Sequence, residues 1–298
     1  DYLDDIVEKT LVSLISIKTL TKKNPLFNGA NENKMEDYFN YLTGLNYKPS
    51  KKRNLVNQIY ILRNKKALVF FDIGAPPNKK NSSCYQCGPL SFEFFSNDNK
   101  IITNCGYGNQ ISKKMEMISR FTSAQSTLSL NDTSVIKFER NSLINNAFGI
   151  SIKNSFKILN FKKEETMDSL FVSASHNAYE NKFGYIHNRL IKINKKNNDL
   201  YGVDTLLRTK EVNLINKYNI RFHLYPGIKA VQTIGGSTIL MQTQKNKSLI
   251  FSTNGEHLML EKSIFLARNK IINNFCINIS GTVNKQDKKI TWEIKRNI

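Results

Sequence analysis

The chain has 298 residues, 40% of them hydrophobic, enough for one large domain or two ordinary ones around a real core. Its net charge of +20 attracts polyanions, so nucleic acid, anionic lipid and acidic polysaccharide all suit its field. No apolar run approaches the roughly 20 residues that a membrane-spanning helix needs, and no signal peptide is visible. The excess lysines lie in segments that are also rich in Asn, which equally describes solvated lysines with no single patch. The chain opens on Asp1 without a methionine, so a longer protein is expected upstream.

Asp1–Leu20 predicts a helix. Leu3, Ile6, Val7, Leu11, Leu14 and Ile17 recur at helical spacing, and Asp4, Asp5 and Glu8 sit in the first turns, where the helix dipole favours them. Leu26–Leu42 reads as a loop, with a second short helix as the alternative, and Tyr47–Lys52 as a linker. From Asn57 onward the signal changes. QIYILRN, KALVFFDIG, LSFEFFS, KIITNCG, STLSLND, SVIKF and FKILNF are short runs of β-branched and aromatic residues, punctuated by Asn, Asp, Gly, Lys and Ser. TILMQTQ, SLIFSTNG, HLMLEKSIFLA, FCINISG and KITWEIKR continue the pattern. Asn254-Gly255 is a pair favoured at tight hairpins. Two stacked antiparallel sheets, a large β-sandwich, are the economical fold for so many strands.

The richest stretch is Ser173–Leu206, which holds two of the four histidines. It predicts a meander of strands Asp168–Ser175, Gly184–Ile193 and Leu200–Leu207. Period two puts Tyr185, His187 and Arg189 on one face of the middle strand, with His176 nearby. Such a face is either a sugar- or anion-binding patch or a set of side chains hydrogen-bonded within the sheet. Asp72, before Gly-Ala-Pro-Pro, is expected to bond its own turn, and Glu93 and Asp204 to pair with cations or backbone amides.

Other motifs exclude more than they assign. There is no phosphate-binding glycine loop and no Gly-x-Ser-x-Gly elbow, and no helix is expected after Gly106-Tyr107-Gly108. Cys84 and Cys87 form a lone C-x-x-C without the second pair a zinc ribbon needs, and Cys105 and Cys276 read as buried. Basic residues are not interleaved with aromatics, which argues against nucleic acid as a partner.

The ordered set FFDIGAPP, GPLSFEF, IITNCG, AQSTLSLND, SHNAYENKFGYIHNRL, LYGVDTL, RFHLYPGIKA, LEKSIFLA and TWEIKR resembles the C-terminal domain of bacterial heparinase II/III-like proteins, over Phe27–Arg296. The resemblance implies a β-sandwich over residues 45–298, preceded in 1–44 by the end of an N-terminal α/α toroid that is mostly absent. It also implies polysaccharide lyase chemistry on an acidic glycan, in a cleft between toroid and sandwich, and a periplasmic or envelope location. A uronate lyase must neutralise the carboxylate, remove the C5 proton and protonate the leaving oxygen. In the family most of these groups lie on the toroid and the sandwich adds a histidine. His176 is the candidate catalytic residue here, with His187 and His223 as the other histidines available, and Tyr179, His187 and Arg189 are the candidate substrate-binding residues. Some relatives bind zinc through histidines at places occupied here by Gln86, Asn104 and Gln125. Amides are poor zinc ligands, so no metal or cofactor is expected. A sandwich that binds carbohydrate without lyase chemistry is the alternative.

Overall fold

The computed structural model describes residues 2–19, 21, 23–32, 35–45, 51–139, 149–211 and 215–296. Helix α1 spans Tyr2–Ser16 and α2 spans Met35–Gly44. The strands that follow are β1 (Leu55–Val56), β2 (Ile59–Arg63), β3 (Ala67–Asp72), β4 (Phe92–Ser96) and β5 (Asn99–Thr103). Helix α3 (Lys113–Ser119) then precedes β6 (Leu128–Leu130). A meander runs through β7 (Ile158–Glu165), β8 (Ser169–His176), short helix α4 (Glu180–Phe183), β9 (Tyr185–Asn194) and β10 (Leu200–Arg208). The chain continues as β11 (Asn216–Leu224), β12 (Lys229–Gln232), β13 (Thr238–Gln242) and β14 (Ser248–Thr253), then β15 (His257–Ala267), β16 (Lys270–Val283) and β17 (Lys288–Arg296).

Among the described residues these strands form two antiparallel sheets. The first runs β1-β2-β3-β4-β5-β11-β16-β15, with β6 also on β11, and the second runs β12-β13-β14-β17-β10-β9-β8-β7. The expected two-sheet sandwich is therefore the fold. Four expectations differ in detail. SVIKF forms no strand and offers only a single bridge, Phe138 to Ile152. Asn254-Gly255 turns the chain from β14 in one sheet to β15 in the other, so it is a crossover and not a hairpin. A helix does follow Gly106-Tyr107-Gly108: the Ser112 hydroxyl accepts from the Met115 N–H at 3.1 Å and starts α3. Finally α1 stops at Ser16 rather than Leu20. The linker expected over Tyr47–Lys52 lies mostly outside the described residues.

The two sheets meet on an aromatic stack. Trp292 of β17 lies parallel to Phe92 of β4 with centroids 5.3 Å apart, and edge-on to Phe222 of β11 at 4.8 Å. Gly202 of β10 pairs directly with Trp292 across the ladder. A Cβ at Gly202 would lie 2.0 Å from the indole Cζ2, so only glycine leaves room for the ring. Gly202→Ala should therefore cost about 1–3 kcal/mol through overpacking. Trp292 is the chain's one tryptophan, so its fluorescence in a urea titration reads the change directly. An unshifted midpoint would show that the indole has space to move.

Candidate functional site

The meander forms as its sequence dictates. Gly184 adopts φ +74° and ends α4, starting β9. The β9–β10 hairpin turns over Asn194–Asp199, closed by the Asn194 N–H on the Asp199 carbonyl at 3.0 Å. Counting outward from that turn sets Arg189 opposite Asp204 and His187 opposite Leu206. The alternate residues Tyr185, His187, Arg189, Ile191 and Ile193 share one face, and that face is buried.

Asp204 is the hub of what this face holds. Its carboxylate accepts from Arg189 Nε at 2.7 Å and Nη2 at 3.1 Å, from His187 Nε2 at 2.7 Å and from Trp292 Nε1 at 2.8 Å. Arg189 Nη1 donates to the backbone carbonyls of Leu90 at 2.9 Å and Ser126 at 2.8 Å, in connections of the facing sheet. The proton positions follow from the ends of the chain of contacts. The Ala178 N–H donates to His176 Nδ1 at 3.2 Å, so His176 carries its proton on Nε2 and donates to His187 Nδ1 at 3.1 Å. His187 then donates from Nε2 to Asp204. Burial lowers both histidines, so both are neutral donors. Burial also acts to raise Asp204, but Arg189 and His187 outweigh it and hold the carboxyl at about 2.

This placement corrects the expectation of an exposed patch. His176, His187 and Arg189 are 0% exposed and Tyr179 is 1% exposed, its hydroxyl on the Leu128 carbonyl at 2.9 Å. In this arrangement none of the four offers an atom to a polysaccharide. The residues are brought together, as the spacing required, but inward. His223 is buried too: its Nε2 donates to the Ser123 carbonyl at 3.0 Å, its Nδ1 faces Ser263 Oγ at 2.9 Å, and burial pushes it down to about 4.

The places of Gln86, Asn104 and Gln125 do a different job. Gln86 Nε2 donates to the carbonyls of Gly106 at 2.9 Å and Ser119 at 2.8 Å, and Gln125 Nε2 also donates to Ser119 at 2.8 Å. Gln86 Oε1 accepts from the Gly29 N–H at 3.1 Å, and Asn104 Nδ2 donates to the Leu26 carbonyl at 3.1 Å. Two of the three amides thus tie the segment Asn24–Glu32 onto the sandwich. Glu93 and Lys100 complete that tie. They pair at 2.8 Å with both side chains fully buried; Glu93 accepts from the Leu26 N–H at 3.1 Å and Lys100 donates to the Asn24 carbonyl at 3.1 Å. Tyr225 adds bonds to Lys23 and Glu32. The pairing of Glu93 with a cation and a backbone amide is as the sequence led one to expect; that these bonds form a seam with Asn24–Glu32 is not, nor is Arg120, whose buried guanidinium holds the carbonyls of Tyr85, Ile150 and Ser82 at 2.7–2.9 Å. Among the described residues no three His, Cys, Asp or Glu side chains come together as a metal site. Cys84 is exposed, and Cys87, Cys105 and Cys276 are buried free thiols.

The family model described as heparinase II/III-like, C-terminal, matches residues 53–293. This chain belongs to the heparinase II/III-like family. Its fold resembles the heparan sulfate lyase HepC from Pedobacter heparinus, with a TM-score of 0.73 at 14% identity over 97% of this chain and 46% of that one. A heparinase III gene product gives 0.75 at 13% identity, over 98% and 46% of the two chains. Another heparinase III gives 0.69 at 15%, over 97% and 47%. The chain thus spans just under half the length of these heparinase-fold proteins. A comparison with curated protein sequences gives no match.

Two measurements test the buried polar groups of this heparinase-like sandwich. Asp204→Asn should destabilise by about 3–5 kcal/mol, because it leaves the Arg189 charge buried without a counter-charge; a loss under half that, by urea denaturation, would mean that Arg189 escapes to water. Asp72 behaves oppositely. Its carboxyl accepts from the Gly74 N–H at 2.8 Å, as expected for its turn, and burial raises it to about 7. A carboxyl raised above its unfolded value of about 3.9 stabilises fully below that value and loses the contribution as pH rises through 7. Asp72→Asn keeps the acceptor without the charge. It should be more stable than the parent above pH 7, by roughly 3–4 kcal/mol, and show no advantage near pH 4. Equal urea midpoints for parent and variant at pH 8 would show that the carboxyl is not desolvated.

Proposed function

We propose that this chain is the C-terminal part of a polysaccharide lyase that cleaves uronate-containing acidic glycans by β-elimination, with most of the reacting groups supplied by an N-terminal toroid. The family match over residues 53–293 carries this reading. The helical segment supports it. Tyr2, Leu3, Ile6 and Val7 of α1 are exposed, as are Tyr38 and Tyr41 of α2, an apolar surface suited to further helices. Residues 1–44 are then the last segment of the toroid, and 45–298 the sandwich. The seam from Asn24 to Glu32 would hold the two domains in fixed orientation, which a cleft between them requires.

Elimination needs a base, an acid and a carboxylate neutraliser held together. The three candidate histidines of this chain are buried and fully hydrogen-bonded, so its contribution is a rigid wall and a positive field that draws the polyanion in. This reading takes acidic polysaccharide and the toroid as partners, and neither nucleic acid, membrane, metal nor cofactor. A second reading, a carbohydrate-binding sandwich without lyase chemistry, is favoured by Gln86, Asn104 and Gln125, whose amides are engaged in internal hydrogen bonds.

An absorbance assay for the unsaturated uronate product, on heparin, heparan sulfate, hyaluronate and alginate, separates the readings. The 298-residue chain alone should give no product with or without zinc, and the protein with its upstream helices should. Product from the chain alone would show that its own side chains supply base and acid, and His176 would be the first to replace. An inactive longer protein that still binds the glycans would establish the second reading.

A further inference from the structure

The sandwich has two unlike ends. Strands β3, β4 and β5 direct the connections bearing Gln86, Asn104 and Gln125 to one end. At the other lie the turns of β2–β3, β4–β5, β9–β10 and β13–β14 and the last residue of β17, roughly 17 Å away along a five-residue strand. Three depressions of about 480, 360 and 790 Å³ open at this second end. Lys66 lines all three, Arg296 two of them and Lys65 two of them, so they form one continuous surface.

The surface is built from asparagines that lock the turns together. Asn64 Nδ2 donates to the Lys195 carbonyl at 3.0 Å and to Asn198 Oδ1 at 2.9 Å, and Asn198 Oδ1 also accepts from the Lys66 N–H at 3.2 Å. Arg296 Nη2 donates to Asn97 Oδ1 at 3.2 Å. The cations are thereby carried on a fixed frame that joins both sheets.

Their charges are largely uncompensated. Lys195 and Lys196 pair with Glu165 and Asp168 at 2.6 and 2.9 Å. Among the described residues, Lys18, Lys52, Arg63, Lys65, Lys66 and Arg296 have no carboxylate partner within salt-bridge distance. Among the described residues, the Nε–H groups of Arg63 and Arg296 meet no acceptor. Both arginines are only half-buried, and a carboxylate or sulfate is the oxyanion whose geometry suits a guanidinium. Burial, with Arg63 and Lys18 beside it, lowers Lys52, as crowded like charges require.

We propose that this end of the sandwich binds a linear sulfated or uronate-bearing polysaccharide, at a surface separate from the amide-lined end. The class of ligand rests on the reading given under Proposed function; the existence of an anion surface does not. Carboxylates and sulfates spaced along a chain match cations spaced along a groove, and guanidinium groups can take an oxyanion through two N–H bonds.

The test is heparin binding by the 298-residue chain, measured by titration calorimetry across a salt series. Lys65→Ala/Lys66→Ala/Arg296→Ala should weaken binding about tenfold and reduce the slope of log affinity against log salt by about 2–3. Lys229→Ala/Lys262→Ala/Lys270→Ala removes the same charge from exposed sites elsewhere and should change affinity less than about twofold. Lys65→Glu/Lys66→Glu, confined to exposed side chains, guards against a folding defect and should weaken binding at least as much. Equal losses in both triple variants would mean a diffuse field and overturn the proposal, as would no loss in either or no heparin binding by the parent. Single-stranded DNA of matched charge bound as tightly as heparin would overturn the ligand class. Catalysis is not read in this assay, so a failed lyase assay and a failed binding surface are told apart.

Discussion

The structure depends on one carboxylate. Asp204 accepts from Arg189, His187 and Trp292, and Arg189 then reaches across to Leu90 and Ser126 in the facing sheet's connections. Net stabilisation is a weak reason for such a centre, since well-packed apolar residues often replace a buried ion pair without loss. What the pair specifies is alignment. A slide of one sheet over the other would strand a guanidinium in the core, so the polar centre penalises every alternative stacking. Leu90 shows the strength of the constraint. It holds φ +57°, unusual for a branched side chain, with its N–H on the Asp72 carbonyl and its own carbonyl on Arg189.

Much of this was legible in the sequence, and the reason is period two. Alternation marked the strands from Asn57 onward, and it grouped Tyr185, His187 and Arg189 correctly. Alternation names a face without naming the side it looks to, and cationic residues argue for solvent. The missing step was register. Counting from the Asn194–Asp199 turn sets Arg189 against Asp204, and a carboxylate directly opposite a guanidinium can be buried where a lone guanidinium cannot. The expectation for Asp72 held because its bond is local, two residues along the chain. SVIKF failed because a short apolar run has no strand to be until a partner strand lies beside it.

The seam was not legible, for the opposite reason. Its contacts link residues separated by 57 to 202 positions, such as Gly29 with Gln86 and Lys23 with Tyr225. Nothing in the local pattern around an amide tells whether it will meet a metal, a sugar or a backbone carbonyl. Here Gln86 uses both ends of its amide, donor and acceptor, on backbone groups. An imidazole at that position could not make both donor contacts and still accept from Gly29, because a neutral ring has one donor and one acceptor. Residue type at this place and attachment of the Asn24–Glu32 segment are therefore coupled.

Composition takes on a structural meaning in the same way. An excess of Asn beside Lys reads as drift when counted along the chain. In the fold, Asn57, Asn97, Asn198 and Asn246 occupy left-handed turn positions, with φ between +51° and +63°. Asparagine tolerates that backbone better than other non-glycine residues, and its short amide can bond a neighbouring turn as well. Asn97 and Asn198 do both, since Arg296 and Asn64 end on them. A hairpin protein that turns on asparagine and places lysine beside each turn will gather positive charge wherever its turns gather. Sandwich topology sends alternate turns to the same end, and at the end that carries the β2–β3 and β9–β10 turns this sets Lys65 and Lys66 beside Lys195 and Lys196 around one depression.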